Sequence, residues 1–64
     1  MPWTVEQYPA SMKNLPALVR EKAIVIANAL LADGYPERVS IRIAITCAKG
    51  WAERKGFFQQ QPAS

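Results

Sequence analysis

Apolar and polar residues follow helical spacing along two long stretches of this chain, 16–33 and 37–55, which Pro2, Pro9, Pro16, Pro36, Gly34, Gly50 and Gly56 set apart from the rest. In the first stretch Pro16 stands at a position where a missing N–H costs a helix nothing. Good helix formers run through Leu31, and Asp33-Gly34 supplies a stop. At about 100° per residue Val19, Ala23, Ile26, Ala27 and Leu30 share one stripe, flanked by Ile24 and Leu31, and this stripe is the expected core face. A weaker apolar line of Leu18, Val25 and Ala29 lies roughly opposite. Lys22 on one side and Glu21 with Asn28 on the other are the polar separators, so the helix is apolar on more than one side.

The second stretch supports two readings. Val39, Ile41, Ile43, Ile45 and Cys47 alternate with Ser40, Arg42, Ala44 and Thr46 as a half-buried strand would. No other segment alternates, so a strand over 37–47 needs a partner from another molecule, as an intermolecular ribbon. On a helical wheel the residues instead divide into an apolar arc and a polar arc. The apolar arc holds Val39, Ile41, Ile43, Ala44, Ile45, Cys47, Ala48, Trp51 and Ala52, and the polar arc holds Arg38, Arg42, Thr46, Lys49 and Glu53. The helix is the reading taken, with fraying expected after Trp51 because Gly50 costs about 1 kcal/mol against Ala. Ahead of both stretches Thr4-Val5-Glu6-Gln7 has capping-box spacing, in which the Thr4 hydroxyl reaches the Gln7 amide and the Gln7 side chain reaches back. A further short turn is expected at 10–14, folding Trp3, Tyr8, Met12 and Leu15 onto the main helices. The fold class is thus all-α, a small bundle of two main helices with one or two short N-terminal turns. Residues 1–55 form a single helical domain and 56–64 a disordered tail unless Phe57-Phe58 docks.

Size sharpens this picture. Sixty-four residues, half of them apolar, make one domain, and ordering them at roughly 1.5 kcal/mol each requires nearly every large apolar side chain to be buried. The lone Cys47 has no disulfide partner, and without any His the usual zinc sites are missing. Tight packing or self-association must therefore supply stability, and a lone reduced thiol suits the cytoplasm. The chain has no stretch of about 18 apolar residues, and its first residues do not read as a signal peptide.

Several runs also resemble a known family. MPWT, YPASMKNLP, VREKAIVIANALLADGY and IRIAITCAKGWAERKG are similar to the short helical segment that opens YdaT-like bacterial stress-associated proteins, and more loosely to the small ChaB-like proteins. Pro2-Trp3, the Tyr8-Pro9-Ala10-Ser11 turn and the Ala-rich stretch ending in Lys49, Trp51 and Ala52 carry the likeness. It implies helix throughout 37–55 and brings no catalytic motif.

Chemistry is sparse in these residues. Nucleophilic catalysis by Ser or Cys ordinarily uses a tuned base, and the chain has no imidazole. Glu6, Glu21, Asp33, Glu37 and Glu53 are scattered over different elements. No glycine-rich phosphate loop is present, Cys47 reads as an inert core thiol, and Trp3, Tyr35 and Trp51 read as core fillers. No enzyme activity, cofactor, metal or small-molecule substrate is expected. Surplus apolar positions, Leu18, Val25, Ile41 and Ile45, nominate a surface for self-association or another protein. The alternative partner is nucleic acid, met by Arg38, Arg42 and Lys49, which fall within about 40° on one face of the second helix. Glu53, at i, i+4 from Lys49, and a net charge of only +3 make that face equally an ordinary solvated one.

Overall fold

The computed structural model describes residues 2–56 of the chain. A 3-10 turn at Ala10–Met12 precedes two helices, α1 (Ala17–Ala32) and α2 (Glu37–Lys55), and the described residues contain no strand. The alternation over 37–47 is therefore not a strand. Of its even positions Ser40 and Ala44 are fully buried, in an i, i+4 row with Ala48 and Ala52, while Arg42 and Thr46 between them are exposed; a strand would put all of these on one face, and a helix separates them. The expected tail lies outside the described residues apart from Gly56.

Both helices begin after proline. Pro16 and Pro36 are the residues before the first helical turn, their carbonyls accepting the N–H groups of Arg20 (2.8 Å) and Ser40 (2.9 Å). Glu37 in the first turn of α2 and Arg54 and Lys55 in its last complement the helix dipole. α1 ends where Gly34 takes φ +98°. The Tyr35 N–H donates to the Leu30 carbonyl and the Gly34 N–H to the Leu31 carbonyl, the paired bonds of a Schellman stop. α2 does not fray after Trp51. Gly50 leaves its ladder intact, and the helix runs on to Lys55 and closes at Gly56, φ +81°.

The two helices pack against each other antiparallel, with Cα atoms within 8 Å. Small side chains on the facing rows allow this: Val19, Ala23 and Ala27 of α1 oppose Ser40, Ala44, Ala48 and Ala52 of α2. The core of α1 is rotated from the expected stripe. Ile24 and Asn28 are buried, while Ile26 and Leu30 are only half-buried. The cause is the N-terminal segment, which lies along the Ile24–Asn28 side and adds Met12 and Leu15 to the core, with Trp3 and Tyr8 packed against it.

Asn28, expected as a polar separator, is instead the pin for that segment. Its amide donates to the Trp3 carbonyl (3.0 Å), and its Oδ1 accepts the Trp3 N–H (3.2 Å). Thr4 caps the following bend, its hydroxyl accepting the N–H groups of Gln7 (3.0 Å) and Glu6 (3.2 Å). The return bond is made by backbone rather than by the Gln7 side chain, as the Thr4 N–H donates to the Gln7 carbonyl at 2.8 Å.

Candidate functional site

Covering one side of a helix pair leaves the other side open, and the structure sorts the candidate residues accordingly. Leu18 and Val25 are 55% and 63% exposed, well above what large aliphatic side chains show inside a domain. Together with Glu21, Lys22 and Trp51 they line a shallow groove of about 230 Å³ on the open side. Lys22 lies across the wall of this groove, its Nζ 5.2 Å from the centre of the Trp51 ring. Ile41 and Ile45 are elsewhere. They are half-buried beside the N-terminal segment, in a cleft of about 360 Å³ lined also by Ser11, Arg38 and Arg42. The four apolar positions singled out in the sequence therefore divide between two separate surfaces.

The basic residues divide as well. Arg20 is held by the fold: its Nη1 donates to the carbonyls of Leu15 (3.0 Å) and Lys13 (3.4 Å), and its guanidinium stacks 4.9 Å from the Tyr8 ring centre. Arg38, Arg42 and Lys49 are exposed on one face of α2. Among the described residues none of these three has a hydrogen-bond, ion-pair or ring partner.

Cys47 is not a core thiol. It is exposed, in a shallow depression with Arg42, Ile43 and Thr46, because the inward row of α2 passes through Ala44 and Ala48 and places position 47 at its margin. Tyr35 in the interhelical link is likewise 45% exposed rather than a core filler. Two polar side chains lie in the core rather than on the polar faces the sequence suggests for them, Asn28 and Ser40. Ser40 satisfies its hydroxyl by donating to the Pro36 carbonyl at 3.0 Å. Its place four residues before Ala44, in a row of small residues, was the signal available.

Among the described residues no three His, Cys, Asp or Glu side chains come together in a metal-holding group, and no helix is long and apolar enough to cross a membrane. No buried side-chain nitrogen or oxygen there lacks a hydrogen-bond partner.

Compared with known proteins, the chain is 57% identical over 53 residues, 83% of its length, to a protein of Bacillus subtilis (strain 168) named only as the uncharacterized protein YdaT. It spans about a third of that relative, 35% of its length. No family model and no solved structure matches. Over the aligned residues this chain is YdaT-like.

Proposed function

We propose that this YdaT-like segment is a non-catalytic helical docking module that pairs with a second copy of itself through the outer line of α1. The observation carrying this reading is that Leu18 and Val25, two large aliphatic side chains more than half exposed, lie two turns apart on α1 and line one groove, whereas the similarly exposed Val5 lies apart from them in the N-terminal segment.

Spacing supports self-pairing. Leu18, Lys22, Val25, Ala29 and Ala32 recur at intervals of four and three, the seam of a heptad, and Ala29 and Ala32 are exposed along with Leu18 and Val25. Two such seams meeting antiparallel about Val25 place Leu18 of one copy opposite Ala32 of the other, large against small, as a two-fold contact requires. The non-catalytic half of the reading is supported by the absence of His from the chain and by the scatter of its carboxylates.

Magnitudes favour a weak complex. Completing the burial of Leu18 and Val25 in both copies returns on the order of 5 kcal/mol, comparable to the least that association costs, so pairing at ~100 µM needs roughly 5 kcal/mol more from the rest of the seam, Ala29, Ala32 and the Lys22 stem. Sedimentation equilibrium of the whole chain from ~10 µM to ~1 mM tests this. The expected result is a mass rising toward twice 7.1 kDa, and loss of that rise in Val25→Glu with the helical circular dichroism unchanged. A wild-type chain that stays monomeric throughout the series overturns the reading.

A further inference from the structure

The cleft between the 3-10 turn and α2 has a different character from the α1 seam. Ile41 and Ile45 line it, one helical turn apart and about 6 Å along the axis, and both pack from behind against the buried core. Arg38 and Arg42, also one turn apart, line it beside the isoleucines, and Ser11 lines it from the 3-10 turn. Lys49, one turn beyond Ile45, continues the positive edge. Among the described residues neither guanidinium has a partner, although Arg20 and Lys22 of α1 are both engaged.

Unengaged guanidiniums beside an aliphatic wall define the chemistry they would accept. A planar guanidinium donates two parallel N–H bonds to a carboxylate, and an isoleucine pair takes aliphatic carbons. We propose that this cleft docks an acidic amphipathic segment of another protein, one that seats aliphatic side chains on Ile41 and Ile45 and gives its neighbouring Asp or Glu carboxylates to Arg38 and Arg42. A partner helix matches because its residues recur at the same one-turn interval as both the isoleucines and the arginines. A nucleic-acid strand matches less well. It asks for cationic and polar donors along its whole track, whereas the cleft interposes two isoleucines, and the chain's net charge is only +3.

This surface lies apart from Leu18 and Val25, so the proposal holds or fails independently of self-pairing. Fluorescence anisotropy on the whole chain tests it with three labelled probes: a synthetic helical peptide with leucines at i, i+4 flanked by glutamates, the same peptide with every glutamate replaced by lysine, and a single-stranded oligonucleotide. The acidic peptide is expected to bind with Kd of ~10–100 µM, and the lysine peptide at least ~10-fold more weakly. Arg38→Glu and Arg42→Glu should each weaken the acidic peptide ~10-fold while keeping the wild-type helical signal, and Val25→Glu should leave its binding unchanged. Should either charge reversal lose helix, Arg38→Gln and Arg42→Gln serve in the same assay. Failure of the acidic peptide to bind, equal binding of the lysine peptide, undiminished binding by the arginine variants, or tighter binding of the oligonucleotide would each overturn the proposal.

Discussion

Asn28 shows how much of this fold depends on one polar side chain. An amide carries a donor and an acceptor at the separation of a backbone N–H and C=O, so a single asparagine satisfies both groups of Trp3 at 3.2 and 3.0 Å and ties residue 3 to the middle of α1. Aspartate keeps the acceptor but aims a second oxygen at the Trp3 carbonyl. Leucine keeps the volume and removes both bonds. Asn28→Leu is therefore expected to cost about 1–2 kcal/mol and Asn28→Asp, at neutral pH, about 2–3 kcal/mol, the charged form being the worse because it is 5% exposed and faces a carbonyl. Thermal unfolding followed by circular dichroism checks the order. An Asn28→Asp chain as stable as wild type would mean that the Trp3 contact contributes nothing to the fold.

At the scale of the elements, the stops and starts were legible and the facing surfaces less so. Pro16, Pro36 and Gly34 act through backbone geometry that no neighbour can override, so both helix starts and the end of α1 fall within a residue of where the sequence puts them. The inward row of α2 was obscured because Ser40, Ala44, Ala48 and Ala52 are less hydrophobic than Ile41, Ile43 and Ile45 beside them. A hydropathy pattern points to the isoleucines, whereas close approach of two helices selects small side chains. The same preference for bulk placed Cys47 inside, and the α1 stripe was displaced for a different reason. No periodicity within α1 reveals that a separate segment will cover Ile24 and Asn28.

Gly50 gives this scale its own prediction. It sits within α2 in ordinary helical conformation, and a Cβ built there would meet only the Arg54 Nη1, at 3.5 Å, an ordinary contact with the end of a flexible side chain. Gly50→Ala should then stabilise the chain by about 0.5–1 kcal/mol, raising the unfolding midpoint by roughly 2–8 °C in a domain this small. A lowered midpoint would show that the neighbourhood of Gly50 is tighter than this spacing implies.

For the molecule as a whole, the N-terminal segment is a third layer rather than an appendage. Met12 and Leu15 are 0% and 9% exposed, Trp3 and Tyr8 pack against the same core, and Arg20 reaches back to the Lys13 and Leu15 carbonyls. Burying Met12 and Leu15 alone contributes about 3–6 kcal/mol, which is comparable to the whole stability of a small domain. Without that layer Ile24, Asn28, Ile41 and Ile45 face water on a two-helix hairpin of about forty residues, a size at which a hydrophobic core rarely suffices without a disulfide or metal. A chain beginning at Pro16 is accordingly expected to lose its cooperative thermal transition and most of its helical signal at 25 °C. Adding a synthetic peptide of residues 2–15 in excess should restore part of that signal, because every contact it makes to α1 and α2 is non-covalent except the link at Pro16. Circular dichroism of the truncated chain, alone and with the peptide, reads both outcomes. A truncated chain that melts cooperatively within about 5 °C of the whole one would show that the hairpin supports itself, and Ser11 would then be a movable wall of the Arg38–Arg42 cleft rather than a fixed one.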